Sequence, residues 1–89
     1  MFRISVSPIR NGLATIRFEG RLVGPWVSEA SDFCERLLNE LSALKLDLAD
    51  LSYLDRNGAM LLVHLKTRGV SLVNSSPFVE EQLKSLAPL

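Results

Sequence analysis

The sequence predicts an α/β domain with a mixed, mostly parallel β-sheet and an antiparallel N-terminal strand, in the order β-β-α-β-α-β-α. Apolar residues occupy every second position in 2–6, 14–18 and 44–48, as strands with one buried face require. Apolar residues recur at helical spacing in 27–41 and again after Gly58. Strands that alternate with helices in this way favour parallel pairing through crossover connections.

The first two strands are predicted to form a hairpin. Asn11 and Gly12 lie between them, and both residue types tolerate the positive φ of a tight turn. Gly20 is expected to end or bend the second strand. Gly24-Pro25 then places proline at the first position of a helix that runs to about Leu41. The buried stripe predicted for this helix is Val27, Ala30, Phe33, Cys34, Leu37, Leu38 and Leu41, with Cys34 as a small buried hydrophobe.

The central segment, residues 44–65, predicts a buried strand, a polar turn and a second helix. The turn is Asp55-Arg56-Asn57-Gly58, and Asp55 is expected to cap the helix that follows. The first backbone N–H groups of such a helix lie unpaired beside the positive end of its dipole, which suits an anion or a docking protein. Gly69 should close this helix, residues 70–73 should form a short strand, and Ser76-Pro77 should start a third helix.

This pattern resembles the STAS domain, the fold of bacterial anti-sigma factor antagonists and of a cytoplasmic domain of sulphate transporters. The family shows a strand ending in Asp-Leu-Ser, then Asp-Ser-Ser-Gly, a leucine-rich helix, a glycine, a short strand and a closing helix. The matching residues are Leu46-Asp47-Leu48, Tyr53-Leu54-Asp55-Arg56-Asn57-Gly58, Leu61-Leu62, Leu65, Gly69-Val70-Ser71-Leu72-Val73 and Ser76-Pro77-Phe78-Val79. The resemblance implies a regulatory protein-binding module.

The chain departs from the family at the regulatory position. The serine that the family phosphorylates corresponds to Arg56, and Asn57 follows where a second hydroxyl residue is common. Neither side chain can be phosphorylated. A phosphoserine would bring roughly −1.5 to −2 charges, whereas Arg56 brings +1 and does not mimic it. Arg56 is interpreted either as a docking residue or as a solvated loop residue.

The second helix supplies a candidate binding face. If Gly58, Leu61, Leu62 and Leu65 face the core, then Ala59, Met60, Val63 and Thr67 form an apolar outer face. Either a neighbouring helix covers part of this face, or the face is a docking patch beside the turn. The predicted protein-binding residues are therefore Asp55, Arg56, Asn57, Gly58, Ala59, Met60 and Val63.

Composition narrows the function classes. Ten basic and ten acidic residues give a net charge of zero, and the sequence lacks the basic stripe that would indicate nucleic-acid binding. No apolar run approaches membrane-spanning length and no signal peptide is evident, so we expect a cytoplasmic protein without membrane insertion, folded as one domain over residues 1–89. No ligand spacing indicates a metal or cofactor. His64 is expected on a helix surface, and Asp47 and Asp50 are expected to flank the end of a strand, so no catalytic set is predicted.

Two function classes follow, with an enzyme a weak third. The leading hypothesis is a non-catalytic module similar to anti-sigma factor antagonists, whose family partners are kinase-like anti-sigma factors or related switch proteins. The alternative is an accessory subunit of an ABC-type lipid transport assembly, with a transporter ATPase as partner, because such STAS proteins lack an obligatory phosphoserine. A homodimer formed through the apolar face is left open.

Overall fold

The structure is a computed structural model that describes residues 1–86, with Leu86 described by its backbone only. Its elements are β1 (Phe2–Val6), β2 (Leu13–Leu22), α1 (Pro25–Glu40), β3 (Ala43–Leu54), α2 (Arg56–Thr67), β4 (Ser71–Val73) and α3 (Pro77–Leu86). This is the predicted order, β-β-α-β-α-β-α.

The four strands form one sheet in the order β1-β2-β3-β4. β1 runs antiparallel to β2, whereas β2–β3 and β3–β4 are parallel pairs, so the predicted mixed sheet is confirmed. The predicted hairpin turn is also confirmed, because Asn11 and Gly12 have φ values of 53° and 76°. The flanking Arg10 and Leu13 exchange backbone hydrogen bonds of 3.0 and 2.9 Å.

Helices cover one face of the sheet, and the other face is exposed to solvent. Buried and accessible residues alternate along the first half of both β2 and β3, and the buried set is Ala14, Ile16, Phe18, Leu44, Leu46 and Leu48. The solvent-exposed face carries ion pairs, in which guanidinium nitrogens of Arg17 lie 3.7 Å from a carboxylate oxygen of Asp47 and 3.3 Å from one of Asp50. The helices therefore pack against one face of the sheet and share a single hydrophobic core with it.

β3 is longer than the sequence predicted. Asp47 and Asp50 were expected to flank a strand end, but both lie inside β3, which continues to Leu54. The pairing of β2 with β3 shifts register between Arg17 and Glu19 and again between Gly20 and Arg21. At each shift β3 carries one more residue than β2, and such bulges break the alternation of buried positions that reveals a strand in sequence.

Gly20 bends β2 without ending it, because the strand runs on to Leu22. Its φ is +95°, and a Cβ there would lie 2.1 Å from the carbonyl oxygen of Met1. The position therefore requires glycine.

The helix boundaries follow the predicted signals. Pro25 is the first residue of α1, and Gly69, with φ 91°, follows the end of α2. The Ser76 hydroxyl accepts a hydrogen bond of 3.2 Å from the Val79 N–H and so caps α3. Cys34 is fully buried in α1, and this burial, helped by the nearby charge of Glu35, raises the pKa of its thiol to about 12.

Candidate functional site

The candidate site lies at the edge of the sheet where β2 and β3 end together. Leu22 and Leu54, the last residues of the two strands, are paired in register. α1 begins three residues after Leu22, and α2 begins two residues after Leu54. The carboxyl ends of two parallel strands therefore meet the amino ends of two helices, the usual location of binding sites in parallel sheets.

Asp55 holds this edge together. Its carboxylate accepts a hydrogen bond of 2.8 Å from the Gly58 N–H through Oδ1, and one of 3.0 Å from the Gly24 N–H through Oδ2. Its own backbone N–H donates to the Leu22 carbonyl oxygen over 3.2 Å. The predicted capping role is confirmed. Both carboxylate oxygens accept from backbone donors, so Asp55 positions the start of α2.

The predicted four-residue turn is shorter than expected. Asp55 alone separates β3 from α2, and Arg56, Asn57 and Gly58 already form the first turn of the helix. Gly58 is buried, and a Cβ at this position would lie 2.5 Å from the Leu22 carbonyl oxygen. Gly58 therefore allows α2 to approach β2 closely and lies beneath the surface of the site.

Arg56 and Asn57 are both exposed at the start of α2. Within residues 1–86, no carboxylate lies within ion-pairing distance of the Arg56 guanidinium. The first turn of α2 contains no acidic residue. The positive charge of Arg56 therefore adds to the positive end of the helix dipole, an arrangement that costs about 0.3–1 kcal/mol.

The predicted apolar outer face of α2 requires a correction. Ala59 was assigned to this face but is fully buried, and it belongs to the hydrophobic core. α2 contacts both α1 and α3 as well as β3, so more than the sheet-facing side of the helix is covered. Ala59 lies only about 100° around the helix from buried Gly58, at the margin of this covered arc. The interpretation in which a neighbour covers part of the face is therefore correct for Ala59.

The exposed strip of α2 is more polar than predicted. Met60 is 52% exposed and Val63 is partly buried, while Arg56, Asn57, His64 and Thr67 supply the polar remainder. Two shallow grooves meet at Met60. One, of about 360 Å³, is lined by Arg56, Met60, Val63, His64 and Thr67. The other, of about 380 Å³, runs between α1 and α2 and includes Asn57, Met60 and His64.

A cluster that the sequence analysis missed lies at the same edge. Tyr53 and Phe78 are each 40% exposed and stack with ring centroids 5.6 Å apart. The Arg21 guanidinium carbon lies 5.0 Å from the centroid of the Tyr53 ring. We call these three residues the Arg21–Tyr53–Phe78 stack. Its members come from β2, β3 and α3, and no sequence spacing links residues from three elements.

Within residues 1–86, no three His, Cys, Asp or Glu side chains are grouped so that they could hold a metal ion. His64 is exposed on α2, as predicted. None of the helices over this range has the length and apolarity needed to cross a bilayer.

Comparison with known proteins identifies the fold. No family model and no curated protein matches the sequence. The unphosphorylated form of the anti-sigma factor antagonist SpoIIAA matches with a TM-score of 0.73 and 17% identity, covering 92% of this chain and 82% of that chain. The phosphorylated form of SpoIIAA, a Bacillus cell fate determinant, matches with a TM-score of 0.71 and 15% identity over 93% of this chain and 82% of that one.

A third match is an uncharacterized protein of the DUF3478 family from Shewanella loihica, which has a SpoIIAA-like fold. Its TM-score is 0.59 at 13% identity, covering 94% of this chain and 75% of that chain. The chain is thus an α/β domain with a SpoIIAA-like fold. Its fold is that of SpoIIAA, and the resemblance predicted from the sequence is confirmed at the level of the fold.

Proposed function

We propose that this protein is a non-catalytic regulatory module, similar in role to an anti-sigma factor antagonist, that binds a protein partner through the start of α2. The observation that carries the proposal is the exposure of Arg56 and Asn57 on a helix end that Asp55 fixes in place. Met60 follows one turn later with half of its surface free, and Val63 lines the adjoining groove. The start of α2 therefore presents a positive charge on Arg56 beside the flexible apolar side chain of Met60.

Position 56 carries a positive charge and cannot be phosphorylated. We therefore propose that phosphorylation at this position does not regulate docking. SpoIIAA has been solved in phosphorylated and unphosphorylated forms. A phosphoserine at a helix start would reverse the local charge, whereas arginine keeps it positive. We therefore propose a partner surface that is acidic where it meets Arg56, on a kinase-like anti-sigma factor or related switch protein in the cytoplasm.

Affinity capture with matched charge reversals tests this function. Arg56→Glu should lose the partner that the wild-type protein retains, because an acidic partner surface would then be repelled. Arg10→Glu makes the same charge change at the exposed hairpin beside the amino ends of β2 and β3, and it should retain the partner. The thermal midpoint of Arg56→Glu should be unchanged or slightly raised, since glutamate suits a helix start. Equal capture by wild type and Arg56→Glu would refute the proposal.

A second function is an accessory subunit of an ABC-type lipid transport assembly. The observation that favours it is the same substitution, because Arg56 and Asn57 leave no hydroxyl at the regulatory position. A transporter ATPase among the proteins captured by the wild type, and lost by Arg56→Glu, would support this function over the first. A homodimer would instead appear as a concentration-dependent mass in sedimentation without any captured partner.

A further inference from the structure

The Arg21–Tyr53–Phe78 stack has the features of a preorganised contact surface. Register pairing sets Arg21 of β2 beside Tyr53 of β3, which fixes the guanidinium against the aromatic ring. The Tyr53 and Phe78 ring planes are inclined by only 24°, so both rings are held by the stack while 40% of each residue stays exposed. Tyrosine and arginine fixed in this way are the residue types that dominate binding energy at protein interfaces.

Chain topology explains why the stack is exposed at this edge. β4 pairs with β3 only over residues 45–47, whereas β3 continues to Leu54. α3 begins close to Tyr53, because Phe78, its second residue, stacks on the Tyr53 ring. Within residues 1–86, no strand pairs with this half of β3 on the side away from β2, and there Tyr53 and Phe78 contact each other at the surface.

The charge of the stack is not neutralised within residues 1–86. No carboxylate there lies within ion-pairing distance of Arg21. Contact with the ring face leaves the guanidinium N–H groups free to bind a carboxylate in the bidentate geometry that arginine favours. Arg56 lies three residues beyond Tyr53 and adds a second unpaired cation. The carboxylate of Asp55, between them in sequence, already accepts two backbone hydrogen bonds.

We infer that the stack binds a short acidic segment of a partner protein, with a carboxylate on Arg21 and a neighbouring apolar side chain against Phe78. This inference rests on the proposed function, since it places the stack and Arg56 in one interface. Glu81 lies one turn beyond Phe78 on α3, so the surface is not uniformly basic. A mixed acidic and apolar peptide therefore fits better than a polyanion such as nucleic acid.

A peptide titration followed by NMR tests the inference. The probe is a blocked pentapeptide of alternating glutamate and leucine, and the control peptide has lysine in place of each glutamate. The acidic peptide should shift the ring signals of Tyr53 and Phe78, and the lysine peptide should not. Arg21→Ala should weaken binding by about fivefold, as expected for loss of one charge-assisted contact. Arg10→Ala, a matched surface change at the hairpin, should bind within about twofold of wild type.

Equal shifts from both peptides, or equal affinity of the Arg21→Ala and Arg10→Ala variants, would overturn the inference. This result is separate from partner capture. Peptide binding that depends on Arg21, combined with partner capture that ignores Arg56→Glu, would support the stack and refute docking through the start of α2. Loss of capture by Arg56→Glu with no peptide binding would support docking through the start of α2 and refute peptide binding by the stack.

Discussion

The carboxylate of Asp55 joins the amino ends of two helices, because Oδ2 accepts the Gly24 N–H at 3.0 Å beside α1 while Oδ1 accepts the Gly58 N–H in α2. Gly24 itself offers no side-chain cap to α1. One carboxylate thus fixes the relative position of the two helix starts, and it fixes the backbone from which Arg56 projects. The rigidity of the candidate site depends on this side chain.

Asp55→Ala should lower the free energy of unfolding by about 1–3 kcal/mol, since it removes a helix cap and a second hydrogen bond. Asp55→Asn should cost less, because an amide oxygen can still accept one of the two bonds. Urea denaturation of both variants measures the difference. Equal losses for the two variants would contradict the double role assigned to the carboxylate.

Gly58→Ala should lower the free energy of unfolding by about 1–3 kcal/mol, because its Cβ would lie 2.5 Å from the Leu22 carbonyl oxygen. The higher helix propensity of alanine offsets part of this loss. Asn57→Ala changes the exposed neighbour and should stay within about 0.5 kcal/mol of wild type. A Gly58→Ala protein as stable as Asn57→Ala would show that α2 can move away from β2 at little cost.

The Cys34 thiol should be almost inert in the folded protein. Burial, the larger cause, and the charge of Glu35 raise its pKa to about 12, so very little thiolate exists at pH 8. Labelling with a disulfide reagent should be roughly 10³-fold slower in buffer than in denaturing urea. Cys34 is the only cysteine of the sequence, which makes the signal unambiguous. Rapid labelling in buffer would contradict the predicted burial.

Asp47 should contribute to the loss of stability in acid. The Ala49 N–H, then the Asn74 amide and the charge of Arg17, hold the pKa of its carboxyl below the ordinary value of 3.8. The stabilisation is therefore complete above the unfolded-state pKa and is lost as the pH falls through the folded-state pKa. The difference in free energy of unfolding between wild type and Asp47→Asn should shrink as the pH falls from about 6 to about 2, which is the range over which a carboxyl group titrates. A difference that is constant with pH would contradict this role.

The sequence predicted the order of elements, the hairpin at Asn11-Gly12 and the cap at Asp55, because each depends on local chemistry. It did not predict the full length of β3, since two bulges against β2 interrupt the alternation that marks a strand. Asp47 and Asp50 were therefore placed at a strand end although they lie inside the strand.

At the candidate site the limit of prediction is tertiary. Whether Ala59 is covered depends on the helices beside α2. The helical spacing of apolar residues gives only their angular positions around α2, so it does not show which side a neighbouring helix covers. The Arg21–Tyr53–Phe78 stack depends on the register of β2 with β3 and on the short pairing of β4. Arg56, Asn57 and Met60 are exposed as predicted, because they lie on the side of α2 away from its buried leucines.

The central claim is that a protein partner contacts the start of α2. Photo-crosslinking measures this contact most directly, with the benzophenone amino acid p-benzoyl-phenylalanine placed at Met60 or at Arg10. The account predicts a crosslinked partner from position 60 and none from position 10. A partner that crosslinks from position 10 and not from position 60 would contradict it.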